Sequence, residues 1–226
     1  MADSAAMAQL LTSVERVGKA LASSRRLELI DLLAQGERTV ESLARVASLG
    51  VTTCSAHLQI LRLAGLVLTR REGNRIHYRL SGPEVAAAYV LLCNLTITYN
   101  AEAAVAWDRY LATAEVPETD QDDLLGRLAD DSTMVLDVRP VEEYAVGHIP
   151  GALSVPLDEL PTRLGELPRD VDLVVYCRSR YGTLSSEAVR LLRADGHRAR
   201  RLVNGMIEWR LAGSPLSPSG SSEGES

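Results

Sequence analysis

The chain has 226 residues, 46% of them hydrophobic and 24% charged, with a formal net charge of -6 at pH 7. That length suits two domains better than one, and the apolar content is ordinary for a chain that buries a core. No apolar run approaches the roughly 18 residues of a membrane-spanning helix, and Met1 to Gln9 has neither a basic nor a long apolar stretch, which argues against membrane insertion and secretion and for a cytoplasmic protein. Three scattered cysteines, Cys54, Cys93 and Cys177, form no disulfide framework and read as core residues or functional thiols.

The charge is unevenly divided. Residues 1–115 hold 12 Arg and Lys against 11 Asp and Glu, whereas residues 116–226 hold 12 against 19. Within the first part, Arg62, Arg70, Arg71, Arg75 and Arg79 stand against Glu72 alone in residues 52–79, a basic patch suited to an anionic partner.

In chain order, residues 1–6 are expected to be disordered. Met7 to Ala22 has helical spacing in Leu10, Leu11, Val14, Val17 and Leu21. A second helix, capped by Ser23 or Ser24, carries Leu27, Ile30, Leu33 and Ala34 before Gly36 stops it. Thr39 to Ala47 is a third, Ser48-Leu49-Gly50 a tight turn, and Thr52 to Ala64 a fourth, which together make a helix-turn-helix. Residues 66–71 and 75–80 then read as two strands joined across Glu72-Gly73-Asn74, a basic hairpin that completes a winged helix.

With "HLQILRLAGLV" and "REGNRIHYRL" in register, Leu27 to Leu80 resembles the ArsR-type (arsenic-repressor-like) bacterial transcription regulators. On the fourth helix Thr52, Thr53, Ser55, His57 and Gln59 are able to reach base edges or phosphates, while Leu58, Leu61 and Leu63 include the inward set. Ala56 stands where family members often carry glutamine. Arg62, Arg70, Arg71, Arg75 and Arg79 would mostly touch phosphate, giving binding to double-stranded operator DNA that weakens with salt.

From Gly82-Pro83 to about Ala114 no breaker intervenes, and Val85, Tyr89, Leu92, Thr96, Tyr99, Ala103, Ala106 and Tyr110 recur at helix-pairing spacing. The resemblance implies a homodimer through such helices, with two recognition helices on a palindromic site. Val116 to Gln121 reads as a polar linker. Beyond it, short apolar strands (134–138, 152–155, 171–176, 199–202) alternate with helices (122–128, 140–145, 157–164, 183–194, 206–211), the signature of a parallel-sheet α/β domain. The serine- and glycine-rich tail, 217–226, is expected to be disordered.

The chemistry centres on Cys177. An apolar strand ends at this cysteine, a loop with Arg178, Ser179, Arg180, Tyr181, Gly182 and Thr183 follows, and a helix begins. Helix N-termini and guanidinium groups favour a thiolate over a thiol, and the same N–H groups hold an anion. A cysteine phosphatase needs arginine six positions after the nucleophile, where this chain has Thr183. Together with Leu136-Asp137-Val138-Arg139, Glu143-Tyr144, the 147–152 segment Gly-His-Ile-Pro-Gly-Ala and the 204–209 segment Asn-Gly-Met-Ile-Glu-Trp, residues 122–216 resemble the rhodanese (sulfurtransferase) domain.

That resemblance implies that Cys177 takes sulfane sulfur from a donor such as thiosulfate or a persulfide, becomes a persulfide itself, and passes sulfur to a thiol or cyanide. Fusions of this kind are expected to carry a second cysteine near Gly182. None is present, so a resolving thiol comes from elsewhere. Residues 178 to 183 form the expected substrate loop, with Asp137, Arg139, Glu143 and His148 in structural roles.

The expected architecture is therefore multidomain. A mostly α-helical winged helix-turn-helix with a long dimerisation helix occupies residues 7–115, and an α/β rhodanese domain with a parallel sheet occupies 122–216. The expected function is a DNA-binding repressor that senses or processes reactive sulfur. The alternatives are a sulfurtransferase whose winged helix dimerises or localises it, and an arsenic- or redox-responsive repressor. Cys54 and Cys93 are candidate sensor thiols against a bland reading as packing residues. The ArsR metal sites resemble cysteine pairs in the third helix or His and Asp pairs in the last, and neither region carries them, so no metal and no cofactor is expected.

Overall fold

The computed structural model describes residues 4–111, 116–127 and 133–217. Two compact units divide between Leu92 and Cys93, inside a helix. No described helix is long and apolar enough to cross a membrane.

The first unit begins with α1 (Ser4–Leu21), which starts earlier than its apolar spacing indicated because Ser4, Ala5 and Ala6 continue the helix at little cost in propensity. Helix α2 (Ser24–Ala34) follows from Ser23, and α3 (Val40–Val46) is capped by Thr39, whose hydroxyl accepts the Ser42 N–H at 3.3 Å. Helix α4 (Val51–Leu63) is the second arm of the helix-turn-helix, and β2 (Val67–Glu72) with β3 (Arg75–Leu80) forms the wing. A short strand escaped the sequence reading: β1 (Arg38–Thr39) pairs antiparallel with β3, Arg38 opposite Tyr78. Two residues give no period, so only the pairing reveals it.

Leu29, Ile30, Leu33, Leu43, Leu58, Leu61 and Tyr78 build the core, and Cys54 lies inside it. Leu63 belongs elsewhere. It is 71% exposed, the last residue of α4 and off the face that holds Leu58 and Leu61.

The long helix is interrupted. Helix α5 (Pro83–Tyr99) ends at Asn100, whose side-chain oxygen accepts the Ala103 N–H at 3.0 Å and starts α6 (Ala101–Leu111). Asparagine is a strong N-cap and carries this break without glycine or proline, which is why apolar spacing ran through it. Its expected continuation to Ala114 passes outside the described residues, as does the 218–226 tail.

The second unit holds a parallel five-stranded sheet in the order β4-β8-β7-β5-β6. Its strands are β4 (Glu118–Thr119), β5 (Thr133–Asp137), β6 (Leu153–Ser154), β7 (Asp172–Tyr176) and β8 (Arg198–Leu202). The segment read as a linker thus supplies the edge strand β4, which pairs Glu118 with Arg201. The helices are α7 (Gln121–Arg127), α8 (Val141–Val146), α9 (Leu160–Arg163), α10 (Leu184–Ala194) and α11 (Met206–Leu211). Helix α9 is shorter than the expected 157–164, with Pro161 in its first turn, where a missing N–H costs nothing, and a 3-10 turn (Leu164–Glu166) after it.

Along β7 the side chains alternate. Leu173, Val175 and Cys177 join the cluster containing Ala188, Val189 and Leu192 of α10, whereas Val174 and Tyr176 join the cluster containing Met206 and Trp209 of α11. The central strand is thus buried on both faces, and its carboxyl end delivers Cys177.

An ion pair without exposure fixes that end. Asp137 and Arg139 are both fully buried and meet at 2.6 Å, and Arg139 also donates to the Gly147 carbonyl at 2.9 Å. The Tyr176 hydroxyl donates to Asp137 and accepts the Ile149 N–H at 3.2 Å. Removing one partner of such a pair strands the other in a medium that cannot solvate it. Arg139→Ala is therefore expected to lower the stability of the second unit by about 3–5 kcal/mol, read as a lower urea midpoint by tryptophan fluorescence. Asp137→Ala combined with Arg139→Ala should cost less than the two single changes added.

Candidate active site and nucleic-acid interface

Cys177 is 2% exposed and follows directly on β7. The chain then turns through residues 178–183 into α10. The Gly182 N–H donates to the Ser179 carbonyl at 3.1 Å, closing the loop, and the Met206 and Ile207 N–H groups donate to the Cys177 and Arg178 carbonyls at 3.0 and 2.9 Å. The first turn of α11 therefore clamps the start of the loop. Gly205 allows that approach: a Cβ there would meet the Ser179 N at 2.4 Å and the Ser179 Cα at 2.5 Å, and backbone cannot step aside.

Around the sulfur, Ser185 Oγ lies 3.3 Å away, and the Ser179 and Gly182 carbonyls stand at 3.5 and 3.6 Å. A Cβ at Gly182 would sit 2.7 Å from Sγ, closer than a Cβ can pack, so only glycine lets the loop pass directly against the sulfur, and a cysteine at 182 does not fit this loop as it stands.

Carboxylates hold the loop at two places. Arg178 forms a bidentate pair with Glu143 at 2.6 and 2.9 Å. The Arg180 N–H donates to the Glu208 carboxylate at 3.3 Å, which also accepts the Gly205 N–H at 2.9 Å. Arg180 places its guanidinium carbon 6.0 Å from the Tyr181 ring centre. The Tyr181 hydroxyl donates to Asn94 at 2.7 Å, Ser179 is buried, and Thr183 stands at the head of α10 without a side-chain cap bond. Tyr144 stacks on His148 with ring centres 3.8 Å apart, holding the 147–152 turn.

Burial pushes the Cys177 thiol up from its ordinary value, against the opposing pull of Ser185, the charge of Arg201 and the Ser179 backbone. Burial thus outweighs these stabilising groups, an effect that strand-loop-helix spacing does not display. Ser185, Glu208, Arg201 and Asn94 were not singled out from the sequence. Glu208 lies inside a quoted motif, but its capping of the loop depends on α11 meeting residue 180. Arg201, 2% exposed, donates to the Arg180 carbonyl at 2.9 Å from a different strand.

In the first unit Thr52 and Thr53 are exposed, and Ser55, His57 and Gln59 are half-buried along α4. Arg62 is exposed and donates to Gln59 at 3.0 Å. On the wing Arg70 pairs with Glu37 at 2.6 Å and Glu72 at 2.8 Å, Arg71 donates to the Gly73 carbonyl at 3.0 Å, and Arg75 lies opposite Glu72. Cys93 is half-buried. Cys54 is buried and its thiol is pushed up to about 11, mainly by burial. Among the described residues no group of three or more His, Cys, Asp or Glu is placed to hold a metal ion.

The model of the arsR family of bacterial regulatory proteins matches residues 23–69, and that of the rhodanese-like domain matches residues 120–212. The HTH-type transcriptional regulator Rv0324 of Mycobacterium tuberculosis is 48% identical over 209 residues, 92% of each chain. The chain belongs to the ArsR family of regulators, in a form fused to a rhodanese domain. The regulator's second half is also similar to a sulfurtransferase of Allochromatium vinosum, 40% identical over 103 residues, which are 45% of this chain and 94% of that one. Its first half is similar to a homodimeric winged helix-turn-helix DNA-binding domain, fragment 1–100 of Mb0332 from Mycobacterium bovis, at 47% identity and a TM-score of 0.42 over 44% of this chain and 93% of that one.

The sign of the Cys177 shift sets a pH dependence. A thiol favoured in its neutral form by burial stays protonated through neutral pH, and its thiolate grows only as pH passes above the ordinary thiol value of 9.0. In a Cys54→Ser, Cys93→Ser background, iodoacetamide should modify Cys177 with a midpoint above that of the urea-unfolded chain, and Ser185→Ala should move it further up.

Proposed function

We propose that this ArsR-family regulator binds operator DNA as a homodimeric repressor in the cytoplasm, and that its rhodanese domain takes sulfane sulfur onto Cys177 as the chemical input. The observation that carries the reading is the placement of Cys177 Sγ at the carboxyl end of the central parallel strand, at the start of a backbone loop and within 3.3 Å of Ser185 Oγ.

The chemistry balances without an oxidant. The Cys177 thiol gives its proton to solvent, the thiolate attacks the outer sulfur of thiosulfate, a new S–S bond forms, the S–S bond of thiosulfate breaks, and sulfite leaves with the electron pair. A thiolate acceptor then attacks the outer sulfur, takes it as its own persulfide, and regenerates Cys177. Ser185, the loop backbone and Arg201 favour negative charge on the inner sulfur as it forms and as it leaves. Glu143 and Glu208 keep Arg178 and the Arg180 N–H in place rather than acting as acids, because both are already bound to the loop and the departing sulfite needs no proton.

Dimerisation is supported by the helices that follow the wing. Leu91, Leu92, Leu95, Tyr99, Val105 and Tyr110 are exposed by 38% to 82%, too much apolar surface for helices that face only water. DNA binding is supported by Thr52 and Thr53 standing exposed on α4 beside the basic wing. The proposed domain limits are those of the sequence reading, 7–115 and 122–216, with β4 (Glu118–Thr119) added to the second.

A second reading, a sulfurtransferase with turnover, is favoured by the 40% identity of the rhodanese half to a protein of that name. A gel shift on the promoter of the protein's own operon, with and without thiosulfate, separates the two. Thiosulfate should weaken DNA binding by wild type about tenfold or more and leave Cys177→Ser unchanged, with mass spectrometry showing one added sulfur on wild type alone. Equal release of both proteins would remove Cys177 from sensing, and rapid sulfite production without DNA release would favour the enzyme.

A further inference from the structure

The loop that carries Cys177 is not held by the sheet and its flanking helices alone. Tyr181, four residues after the cysteine and 8% exposed, donates its hydroxyl hydrogen to Asn94 Oδ1 of α5 at 2.7 Å. Its ring meets Trp107 of α6 edge-on, with ring centres 5.1 Å apart and planes at 69°. Two helices outside the rhodanese match at 120–212 therefore grip the cysteine loop at one side chain. Burial pushes the Tyr181 phenol up, which favours its protonated, donating form.

Helix α5 is a single element whose Pro83–Leu92 part belongs to the first compact unit and whose remainder belongs to the second. Leu92 and Leu95 flank Asn94 and are exposed, as is Tyr99, the last residue of the helix. The face offered for helix pairing and the residue that holds the cysteine loop thus lie within one or two turns of each other.

We propose that Tyr181 is the positioning residue that reports sulfur on Cys177 to helix α5, through its hydroxyl bond to Asn94 and its ring contact with Trp107. The proposal rests on the persulfide reading above. The Gly182 backbone, the immediate neighbour of Tyr181, packs directly against Sγ: a Cβ there would stand 2.7 Å from the sulfur and 3.5 Å from the Ser179 carbonyl oxygen. A second sulfur bonded to Sγ presses on the 179–182 turn, which the Gly182 N–H to Ser179 carbonyl bond closes at 3.1 Å. The turn gives way at residues 181 and 182, because residues 177, 178 and 180 are fixed by the Met206 and Ile207 N–H groups, by Glu143, and by Glu208 and Arg201. Losing the Tyr181 contact frees Asn94 and alters the segment of α5 that carries Leu92 and Leu95, and with it the pairing of the two DNA-binding units.

The test uses the full-length protein and the promoter DNA, with sodium thiosulfate and, in parallel, glutathione persulfide as donors. Tyr181→Phe keeps the ring and removes the hydroxyl; Asn94→Ala removes its acceptor from the other side. Asn94→Ala should load one sulfur on Cys177 as wild type does, and once loaded both variants should change DNA affinity less than twofold against about tenfold or more for wild type. Wild type should also show a change in Trp107 fluorescence on loading, measured against Trp107→Phe as the blank, that Tyr181→Phe largely loses. If both variants load sulfur and release DNA as wild type does, Tyr181 is not the link, and the persulfide reading stands. If wild type itself takes no sulfur from either donor, or takes it without releasing DNA, the persulfide reading fails and the link falls with it.

Discussion

The carboxylate of Asp137 is the constraint on which the cysteine site depends. It sits at the end of β5 with no exposure, and three groups converge on it: the Arg139 guanidinium, the Arg139 backbone N–H and the Tyr176 hydroxyl. Between them they tie two other pieces of chain to the strand. Tyr176 is the last residue of β7, immediately before Cys177, and Arg139 carries the connection on to the Gly147 carbonyl. A buried carboxylate of this kind stabilises little when weighed against its own desolvation, but once present it permits few alternative arrangements. Strand, turn and cysteine are therefore fixed together before the loop begins.

The loop itself is organised by two further carboxylates, and their effect on charge is not what a count of arginines suggests. Glu143 pairs with the Arg178 guanidinium while Glu208 accepts the Arg180 backbone N–H, so the arginine next to the cysteine is matched by a carboxylate as it is placed. What remains to favour a thiolate is Ser185, the Ser179 backbone and the buried Arg201, and burial of Cys177 outweighs them. On the proposed chemistry this balance has a use. A thiol that is mostly neutral at rest is slow toward general oxidants and alkylating agents, which need the thiolate. A persulfide is a stronger acid than a thiol, so the same three groups meet a charge once sulfur is loaded.

Much of this could be read in the sequence, and the reasons for the remainder are physical. The winged helix was legible because Thr39, the turn at 48–50 and the hairpin at Gly73-Asn74 carry local chemistry that propensity and turn rules detect. Cys177 was legible because strand, cysteine, glycine and helix follow one another within a few residues. The two-residue strands β1 and β4 were not, since pairing rather than pattern makes them. The break at Asn100 was missed because a side chain capping its own successor leaves the apolar period intact. Ser185, Arg201, Glu208 and Asn94 reach the loop from four different elements, and no single-sequence spacing joins positions 94, 180 and 208.

The grip of α5 and α6 on Tyr181 bears on what the fusion of the two domains accomplishes. Coupling between two binding events is reciprocal: if sulfur at Cys177 weakens DNA binding by some factor, DNA binding weakens sulfur loading by the same factor. On the proposed reading, a regulator seated on its operator is harder to load than one free in solution. Sulfur then acts first on unbound protein and holds it off the DNA, so derepression follows the exchange of protein on and off the operator. An enzyme with an appended DNA-binding module gains nothing from such a link, because its turnover would be slowed by the partner that localises it. The hydroxyl of Tyr181 is a single hydrogen bond, worth on the order of 1 kcal/mol net in a folded protein. That is too little alone for a tenfold effect, so the ring contact with Trp107 and the displacement of α5 must supply the rest.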